Sequence, residues 1–278
     1  MVDNLYEKGE ISVSNRVAVI TGGAGLLGKE HAEALLEIGH DVVIIDVNDW
    51  ALRRATEYLR SEFPHSIIEA ICCDITVEDQ IRSAVSQIVD RFRTIDILIN
   101  NAAKNPVPTG NLDLANSEFE NFELDSWNSE IAVGLTGAFL TSKYVSKIMR
   151  NNLSGIILNI SSDLSVISPD QRIYLDEFDH QTFFKPVTYS VVKSGLIGFT
   201  RYLATYLAPF NIRVNALSPG GVEDGQSSTF IEKLTERIPM GRMAKKFEYR
   251  GAIQFLCSNQ SSYMTGQNII IDGGRTVW

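Results

Sequence analysis

The sequence predicts an α/β fold in which helices cover both faces of a doubly wound, mostly parallel sheet. Short apolar runs rich in β-branched residues alternate with helical stretches nearly from end to end. The runs are almost continuously apolar, which is typical of strands buried on both faces. The repeated strand–helix–strand order indicates parallel strands joined by helical crossovers. Because no linker divides the chain, we expect a single domain over residues 1–278.

Seven strands and six helices follow from this pattern, in alternating order. The predicted strands are residues 16–20, 41–45, 66–71, 95–99, 155–160, 211–217 and 268–272. The predicted helices lie around residues 26–38, 49–62, 77–91, 125–150, 188–208 and 246–258.

Two long segments, residues 102–125 and 163–187, interrupt the alternation. Each follows a strand, and open α/β sheets bind ligands at the carboxyl ends of their strands. Loops longer than about 12–15 residues in a compact domain are usually functional or disordered. Aromatic residues favour packed walls here, so we interpret both segments as substrate loops; these residues are Phe119, Phe122, Tyr174, Phe178, Phe183 and Phe184.

Composition and charge exclude several classes of protein. The net charge of −9 argues against a nucleic-acid partner, which would require clustered lysine and arginine. Residues 1–14, an N-terminal extension, lack the apolar core of a signal peptide, and no apolar run is long enough to span a membrane. Three cysteines and four scattered histidines provide neither a disulfide framework nor a metal site. We therefore expect a cytoplasmic protein without a bound metal.

A glycine-rich turn between the first strand and the first helix, within residues 17–35, predicts a phosphate-binding site. Gly22, Gly25 and Gly28 allow a tight turn, and the free N–H groups of the helix N-terminus suit a pyrophosphate. We assign these glycines and Leu27 to cofactor binding. Glycine-rich turns of this kind also occur for packing reasons, so the pattern alone is a weak signal.

Asp46, at the end of the second strand, strengthens the prediction of a dinucleotide site. An acidic residue at this position can hold the hydroxyl groups of an adenosine ribose. Because a carboxylate repels a 2′-phosphate, NAD is favoured over NADP. The alternative role for Asp46 is to cap the next helix, for which Asn48 and Asp49 are also available.

Tyr189 and Lys193 lie four residues apart on one face of a predicted helix. A Y-x-x-x-K spacing arises by chance often enough to prove little alone. Its significance comes from the ends of two predicted strands, where Ser161 and Ser162 follow one and an asparagine–alanine turn follows the other.

Taken together, these motifs resemble those of the classical short-chain dehydrogenase/reductase family, from about Arg16 to Gly274. The matching stretches, in order, are "TGGAGLLG", "CCDIT", "NNAA", "NISS", "YSVVK", "NALSPGGV" and "MTGQNIIIDGG". The resemblance implies a Rossmann-type, seven-stranded sheet, a nicotinamide cofactor and interconversion of alcohols and carbonyls.

The resemblance also implies three catalytic residues, Ser162, Tyr189 and Lys193. Tyr189 would be the general acid/base, with its pKa lowered by the ammonium of Lys193 and by the oxidised nicotinamide ring. Lys193 would also hold the nicotinamide ribose. Ser162, the second serine of "ISS", would donate a hydrogen bond to the substrate oxygen.

Further cofactor contacts are implied around the adenine and along the nicotinamide ring. They are Asp74, Ile75, Asn101 and Ala102 for the adenine, and Pro219, Gly220 and Val222 for the nicotinamide. The chain departs from the family pattern at Asp224, where many members carry threonine, and at Leu26, which replaces the usual second glycine. We therefore expect a slightly different pyrophosphate turn.

Gly134 stands where the family carries an asparagine whose side chain anchors a proton-relaying water. A glycine within a helix costs about 1 kcal/mol relative to alanine. It would let the helix bend and expose a carbonyl to water, or it would only let a neighbouring helix approach. A third alternative is a crippled site. Because the other catalytic residue types are present, we expect an enzyme and expect Gly134→Asn to be tolerated.

The polar and acidic loops favour a hydroxyl-rich substrate, and "SPDQRIY" resembles family members linked to bacterial surface-sugar and flagellin modification. We therefore predict a sugar-like or polyol substrate. The alternatives are a 3-oxoacyl-carrier-protein reductase, for which Lys245 and Lys246 offer little basic surface, and a non-catalytic cofactor-binding scaffold. The resemblance implies a homodimer or homotetramer that pairs through helices 125–150 and 188–208.

Overall fold

The computed structural model of the protein describes residues 15–105 and 113–278. The predicted N-terminal extension, residues 1–14, and residues 106–112 of the first substrate loop lie outside the described residues.

A seven-stranded, entirely parallel sheet forms the centre of the molecule, in the order β3-β2-β1-β4-β5-β6-β7. This confirms the predicted Rossmann-type fold. The strand order reverses between β1 and β4, which is where sheets of this type open a ligand crevice. The strands are β1 Val17–Thr21, β2 Asp41–Asp46, β3 Ile68–Cys72, β4 Ile97–Asn100, β5 Gly155–Ile160, β6 Ile212–Pro219 and β7 Asn268–Ile271.

Helices cover both faces of the sheet, close to the predicted positions. One predicted helix is interrupted by a π-helical turn, Ala132–Thr136, and Ser228–Thr235 is a helix that the sequence pattern did not predict. The helices are α1 Leu26–Glu37, α2 Asp49–Glu62, α3 Glu78–Phe92, α4 Asp113–Ser117, α5 Leu124–Ile131, α6 Gly137–Asn152, α7 Val187–Leu207, α8 Ser228–Thr235 and α9 Arg250–Leu256.

The core has two halves, one on each face of the sheet. Successive side chains of a strand point to opposite faces, so Val19 packs in one half and Ile20 in the other. Both are at most 1% exposed. Burying an apolar side chain of this size contributes about 1.5–3 kcal/mol. The double-sided burial explains why the strands are continuous apolar runs in the sequence.

Within the described ranges, no helix has the length and hydropathy that a membrane span requires. The same residues contain no cluster of three or more histidine, cysteine, aspartate or glutamate side chains arranged to hold a metal ion.

Candidate active site

A cleft of about 860 Å³ opens at the carboxyl edge of the sheet, where β1 and β4 diverge. The strand ends and the first turn of α1 form one wall, and α7 with the segment 163–187 forms the other. Of the residues predicted for the site, those that line the cleft are Gly22, Gly25, Leu27, Asp46, Asp74, Ile75, Asn101, Ala102, Ser162, Tyr189, Lys193, Pro219, Gly220 and Val222.

Gly28 is the exception, because it packs beneath the glycine turn and does not line the cleft. A Cβ atom at Gly28 would lie 2.1 Å from the carbonyl oxygen of Gly22. Glycine here lets the helix approach the turn. Gly22 itself has a φ of +63°, and a Cβ atom there would lie 2.8 Å from Cα of Ala102. Gly28 therefore shapes the turn from beneath, and its assignment to cofactor binding stays a prediction.

The N-terminus of α1 fits a pyrophosphate. Its N-cap residue, Gly25, makes no side-chain capping hydrogen bond, and Leu26 and Leu27 of its first turn line the cleft. The first N–H groups of a helix have no partner within the helix. They also carry the positive end of the helix dipole, so this part of the cleft suits a bound anion.

Asp46 lies at the end of β2 and braces the glycine turn. Its Oδ2 accepts a hydrogen bond from the Ala24 amide (3.2 Å), and its Oδ1 accepts one from the Asn48 amide (3.0 Å). The cap of α2 is the Asn48 side chain, which accepts from the Ala51 amide (3.0 Å). The alternative role of Asp46 as helix cap is therefore excluded, and its carboxylate faces the cleft.

Asn101 connects the ends of β1 and β4. Its Nδ2 donates to the carbonyl oxygens of Thr21 and Gly22, each at 3.0 Å. The Asn101 side chain thus holds the glycine turn, which follows β1, against the end of β4. On the other side of the cleft floor, Asp74 accepts hydrogen bonds from the amide and hydroxyl of Thr76.

Lys193 and Ser161 fix α7 against the end of β5. The ammonium of Lys193 donates to the Ile160 carbonyl (2.9 Å), and the Ser161 hydroxyl donates to the Lys193 carbonyl (2.7 Å). Lys193 is 4% exposed, and its Nζ lies 5.6 Å from the centre of the Tyr189 ring. Because Ser161 is committed to the backbone, Ser162 is the serine available beside Tyr189.

The pKa of Tyr189 is raised to about 12, chiefly because the phenol is buried. The nearby carboxylate of Asp163 raises this pKa further, whereas the interaction with the Ser162 hydroxyl lowers it. The lowered pKa that we expect involves the oxidised nicotinamide ring as well as Lys193, and it stays a prediction for the complex with cofactor. Burial also lowers the pKa of Lys193 to about 8, and the charge of Lys185 lowers it further. The structure therefore favours a protonated Tyr189 at neutral pH.

Asp163 and Arg275, which we did not predict, form a buried ion pair beside Ser162. Arg275 Nη1 lies 2.7 Å from Asp163 Oδ2, with side-chain exposures of 7% and 4%. The Ser162 hydroxyl donates to Asp163 Oδ1 (2.7 Å). To donate to a substrate oxygen, as the resemblance implies, Ser162 must turn its proton away from this carboxylate.

Lys185 is a second lysine at Tyr189, and the sequence reasoning missed it. Its Nζ lies 4.0 Å from the centre of the Tyr189 ring and donates to Asn105 Oδ1 (2.5 Å). Burial lowers its pKa to about 8. Lys185 precedes α7, which begins at Val187, so helical periodicity gave no reason to place it next to Tyr189.

Gly134 lies at the centre of the π-helical turn and directly against α7. A Cβ atom at this position would lie 2.3 Å from Cγ1 of Val192. Both the local distortion and the close helix approach that we considered are therefore present. The contact contradicts our expectation that asparagine is tolerated at position 134, because a β-branched side chain cannot readily move aside.

The segment 163–187 is a packed wall, as we predicted. Tyr174 lies edge-on to Phe183 at 5.3 Å and also contacts Phe230 of α8. The two predicted loops also meet, since the Phe184 amide donates to the Ser117 hydroxyl (2.9 Å). Not every aromatic residue packs: Phe119 is 72% exposed and Phe178 is 70% exposed.

Comparison with known proteins gives matches along nearly the whole described chain. Residues 16–174 match the short chain dehydrogenase family, and residues 178–276 match a family described as enoyl-(acyl carrier protein) reductase. A trans-4-hydroxycyclohexanecarboxylate dehydrogenase from Sinomonas cyclohexanicum is 33% identical over 268 residues, which cover 95% of this chain and 94% of that protein.

Solved structures of similar proteins have the same fold. A short chain dehydrogenase from Leptospira borgpetersenii with bound NAD⁺ has a TM-score of 0.79 and 35% identity, covering 95% of this chain and 93% of that one. A gluconate 5-dehydrogenase from Burkholderia cenocepacia, in complex with NADP and tartrate, has a TM-score of 0.82 and 27% identity, with coverage of 96% and 97%. The chain therefore belongs to the short-chain dehydrogenase/reductase family of oxidoreductases.

Proposed function

We propose that the protein is an NAD-dependent dehydrogenase/reductase that interconverts a secondary alcohol and a ketone on a small, hydroxyl-rich molecule. One observation carries the proposal. Tyr189, Lys193 and Ser162 stand together in the same cleft that begins at the glycine turn and Asp46. A titratable phenol beside a buried ammonium, in a cleft shaped for a dinucleotide, is suited to proton exchange coupled to hydride transfer.

The dinucleotide would be held along the carboxyl edge of the sheet. The first turn of α1 would bind its pyrophosphate, and Asp46 would accept hydrogen bonds from the adenosine ribose. The adenine would lie between Asp74 and Ala102, and Lys193 would hold the nicotinamide ribose. The bound nicotinamide supplies the acceptor or donor of the hydride.

Tyr189 would exchange the proton of the reacting oxygen. In the reducing direction the protonated phenol gives its proton to the oxygen, and in the oxidising direction the phenolate accepts it. The ammonium groups of Lys193 and Lys185 would stabilise that phenolate against the cost of burial. Ser162 would hold the substrate oxygen at Tyr189 once its hydroxyl turns from Asp163.

The preference for NAD is supported by the carboxylate of Asp46, which would repel a 2′-phosphate. Known relatives bind either cofactor, since the Leptospira structure holds NAD⁺ and the Burkholderia structure holds NADP. We expect Asp46→Asn to lower the ratio of kcat/KM with NAD⁺ to kcat/KM with NADP⁺ by about 10- to 100-fold, because charge-assisted hydrogen bonds and the repulsion are both lost. A wild-type enzyme that prefers NADP⁺ would contradict the proposal.

A sugar-like or polyol substrate is supported by the polar segment 163–187 and by relatives named for hydroxylated substrates. We propose a link to surface-sugar or flagellin modification on the resemblance of "SPDQRIY" alone. The test is hydride transfer to or from the cofactor with polyols, hydroxy acids and their ketones, together with a 3-oxoacyl-carrier-protein substrate. Turnover of the carrier substrate alone would favour the reductase, and turnover of none would favour a cofactor-binding scaffold.

We also propose that the protein forms a homodimer or homotetramer through α6 and α7. Tyr202 and Tyr206 stack on each other on the exposed side of α7, with exposures of 64% and 50%. Light scattering should give a multiple of the 30.9 kDa chain mass; a monomer at micromolar concentration would contradict the proposal. A cytoplasmic location is supported by three free thiols, Cys72, Cys73 and Cys257.

A further inference from the structure

Lys185 is a positively charged side chain beside Tyr189, at the reaction centre. Among the described side chains, no carboxylate lies within ion-pair distance of the Lys185 ammonium. Its hydrogen-bond partner is the neutral amide of Asn105. Lys185 is half-buried, and a lysine with restricted access to water normally pairs with an acidic group, since an isolated charge is costly away from water. In keeping with this, burial lowers the pKa of Lys185 to about 8.

The position of Lys185 relative to Tyr189 limits the distance between the group that Lys185 binds and the reacting oxygen of the substrate. The ammonium lies over the face of the phenol ring, at 4.0 Å from its centre. A reacting substrate oxygen must lie at the hydroxyl of the same ring, within hydrogen-bond distance. A group bound by Lys185 and the reacting oxygen therefore belong to one small molecule and are separated by a few bonds.

The charge around Lys185 favours a single negative charge. Glu130 and Asp163 both act on Lys185 as negative charges, raising its pKa against the effect of burial. They would repel a phosphate dianion more strongly than a carboxylate. The Nδ2 of the Asn105 amide and the three N–H donors of the lysine suit two carboxylate oxygens.

We propose that the substrate is a hydroxy acid and that Lys185, together with Asn105, binds its carboxylate while Tyr189 exchanges the proton of its hydroxyl. This inference rests on the function proposed above, whose substrate class it narrows from polyols in general to those that carry a carboxylate. Lys185 then determines substrate specificity by binding the carboxylate, in addition to stabilising the Tyr189 phenolate.

Matched substrate pairs test the inference. Gluconate is compared with sorbitol, and 4-hydroxycyclohexanecarboxylate with its methyl ester, using kcat/KM of the full-length protein with its cofactor. We expect Lys185→Gln to lower the acid-to-neutral ratio of kcat/KM by about 10- to 100-fold, the loss of a hydrogen bond between charged groups. Lys185→Arg should retain part of the ratio, and Lys147→Gln, an exposed lysine on α6, should leave it unchanged.

The ratio separates binding of a carboxylate from an effect of Lys185 on Tyr189. If Lys185 acted only on the Tyr189 phenol, Lys185→Gln would lower turnover of the acidic and the neutral substrate equally. The acid-to-neutral ratio of kcat/KM would then be unchanged, and that result would overturn the inference. A wild-type enzyme that turns over neutral and acidic substrates equally also overturns it, while the proposed function stands.

Absence of turnover with every compound would instead contradict the proposed function. Calorimetry with the unreactive cyclohexanecarboxylate then decides the inference, using protein loaded with NADH. Binding to the wild type that is lost in Lys185→Gln supports a carboxylate site. Equal binding to both proteins, or no binding to either, overturns it.

Discussion

Tyr189→Phe is expected to lower kcat by about 10²- to 10⁴-fold, the usual contribution of a general acid/base. Phenylalanine keeps the ring under Lys185 and removes only the hydroxyl that exchanges the proton. Binding of the cofactor, measured by the quenching of protein fluorescence, should change little. Stopped-flow measurement of NADH formation or consumption with a substrate from the panel gives the rate.

Tyr174→Phe is the matched control, because Tyr174 is also buried and lines the same cleft. Among the described residues, Lys185 and Lys193 lie at the ring of Tyr189 and neither lies over the ring of Tyr174, so we expect less than a tenfold loss of kcat. Equal losses in the two variants would contradict the assignment of Tyr189 as the proton-exchanging residue. Loss of cofactor binding in Tyr189→Phe would instead show that the hydroxyl is needed to form the site.

The pH profile should follow the raised pKa of Tyr189. Burial holds the free phenol in its protonated form up to a pKa of about 12, so oxidation of an alcohol, which requires the phenolate, should accelerate as the pH rises. Reduction of a ketone, which requires the phenol, should be fastest at lower pH. Tyr189→Phe should remove this opposite dependence of the two directions.

Arg275→Met is expected to destabilise the protein by about 3–5 kcal/mol, because it leaves the carboxylate of Asp163 buried without its counter-ion. The double variant Asp163→Asn/Arg275→Met should recover most of this loss, since neither charge is then buried. Urea unfolding, with ΔG extrapolated to water, measures all the members of this cycle.

Arg242→Met is the control for this cycle. Arg242 also pairs with a carboxylate, Glu248, through contacts of 2.7 and 2.8 Å, but its side chain is 47% exposed. Exposed pairs contribute about 0–1 kcal/mol, so we expect a loss within that range. If Arg275→Met costs no more than Arg242→Met, or if the losses at 163 and 275 simply add, the buried pair is not coupled as the structure indicates.

The sheet could be predicted from the sequence because its strands are buried on both faces. Each strand is therefore a nearly continuous apolar run. In β1, for example, residues 17–20 read "VAVI". The predicted site residues in the cleft came from short sequence signals: the glycine-rich turn, the acidic residue that ends β2, the four-residue spacing of Tyr189 and Lys193, and the motifs that resemble the family. The helix Ser228–Thr235 was missed because its eight residues form only about two turns, too few for a helical period to be told from chance.

The remaining site residues have no such signal, because tertiary structure brings them together. Asp163 and Arg275 are separated by 112 positions in the sequence. Lys185 and Asn105 meet only because the two substrate loops approach each other. The direction of the Tyr189 pKa also depends on how deeply the ring is buried, and the sequence does not give that depth.

The contact between Gly134 and Val192 constrains how this site can change by mutation. With 2.3 Å between a Cβ atom at 134 and the methyl group of Val192, any larger residue at 134 first needs a smaller one at 192. Overpacked intermediates typically lose about 1–3 kcal/mol. Homologues with a larger residue at 134, such as the asparagine of the family pattern, are therefore expected to carry a residue smaller than valine at 192.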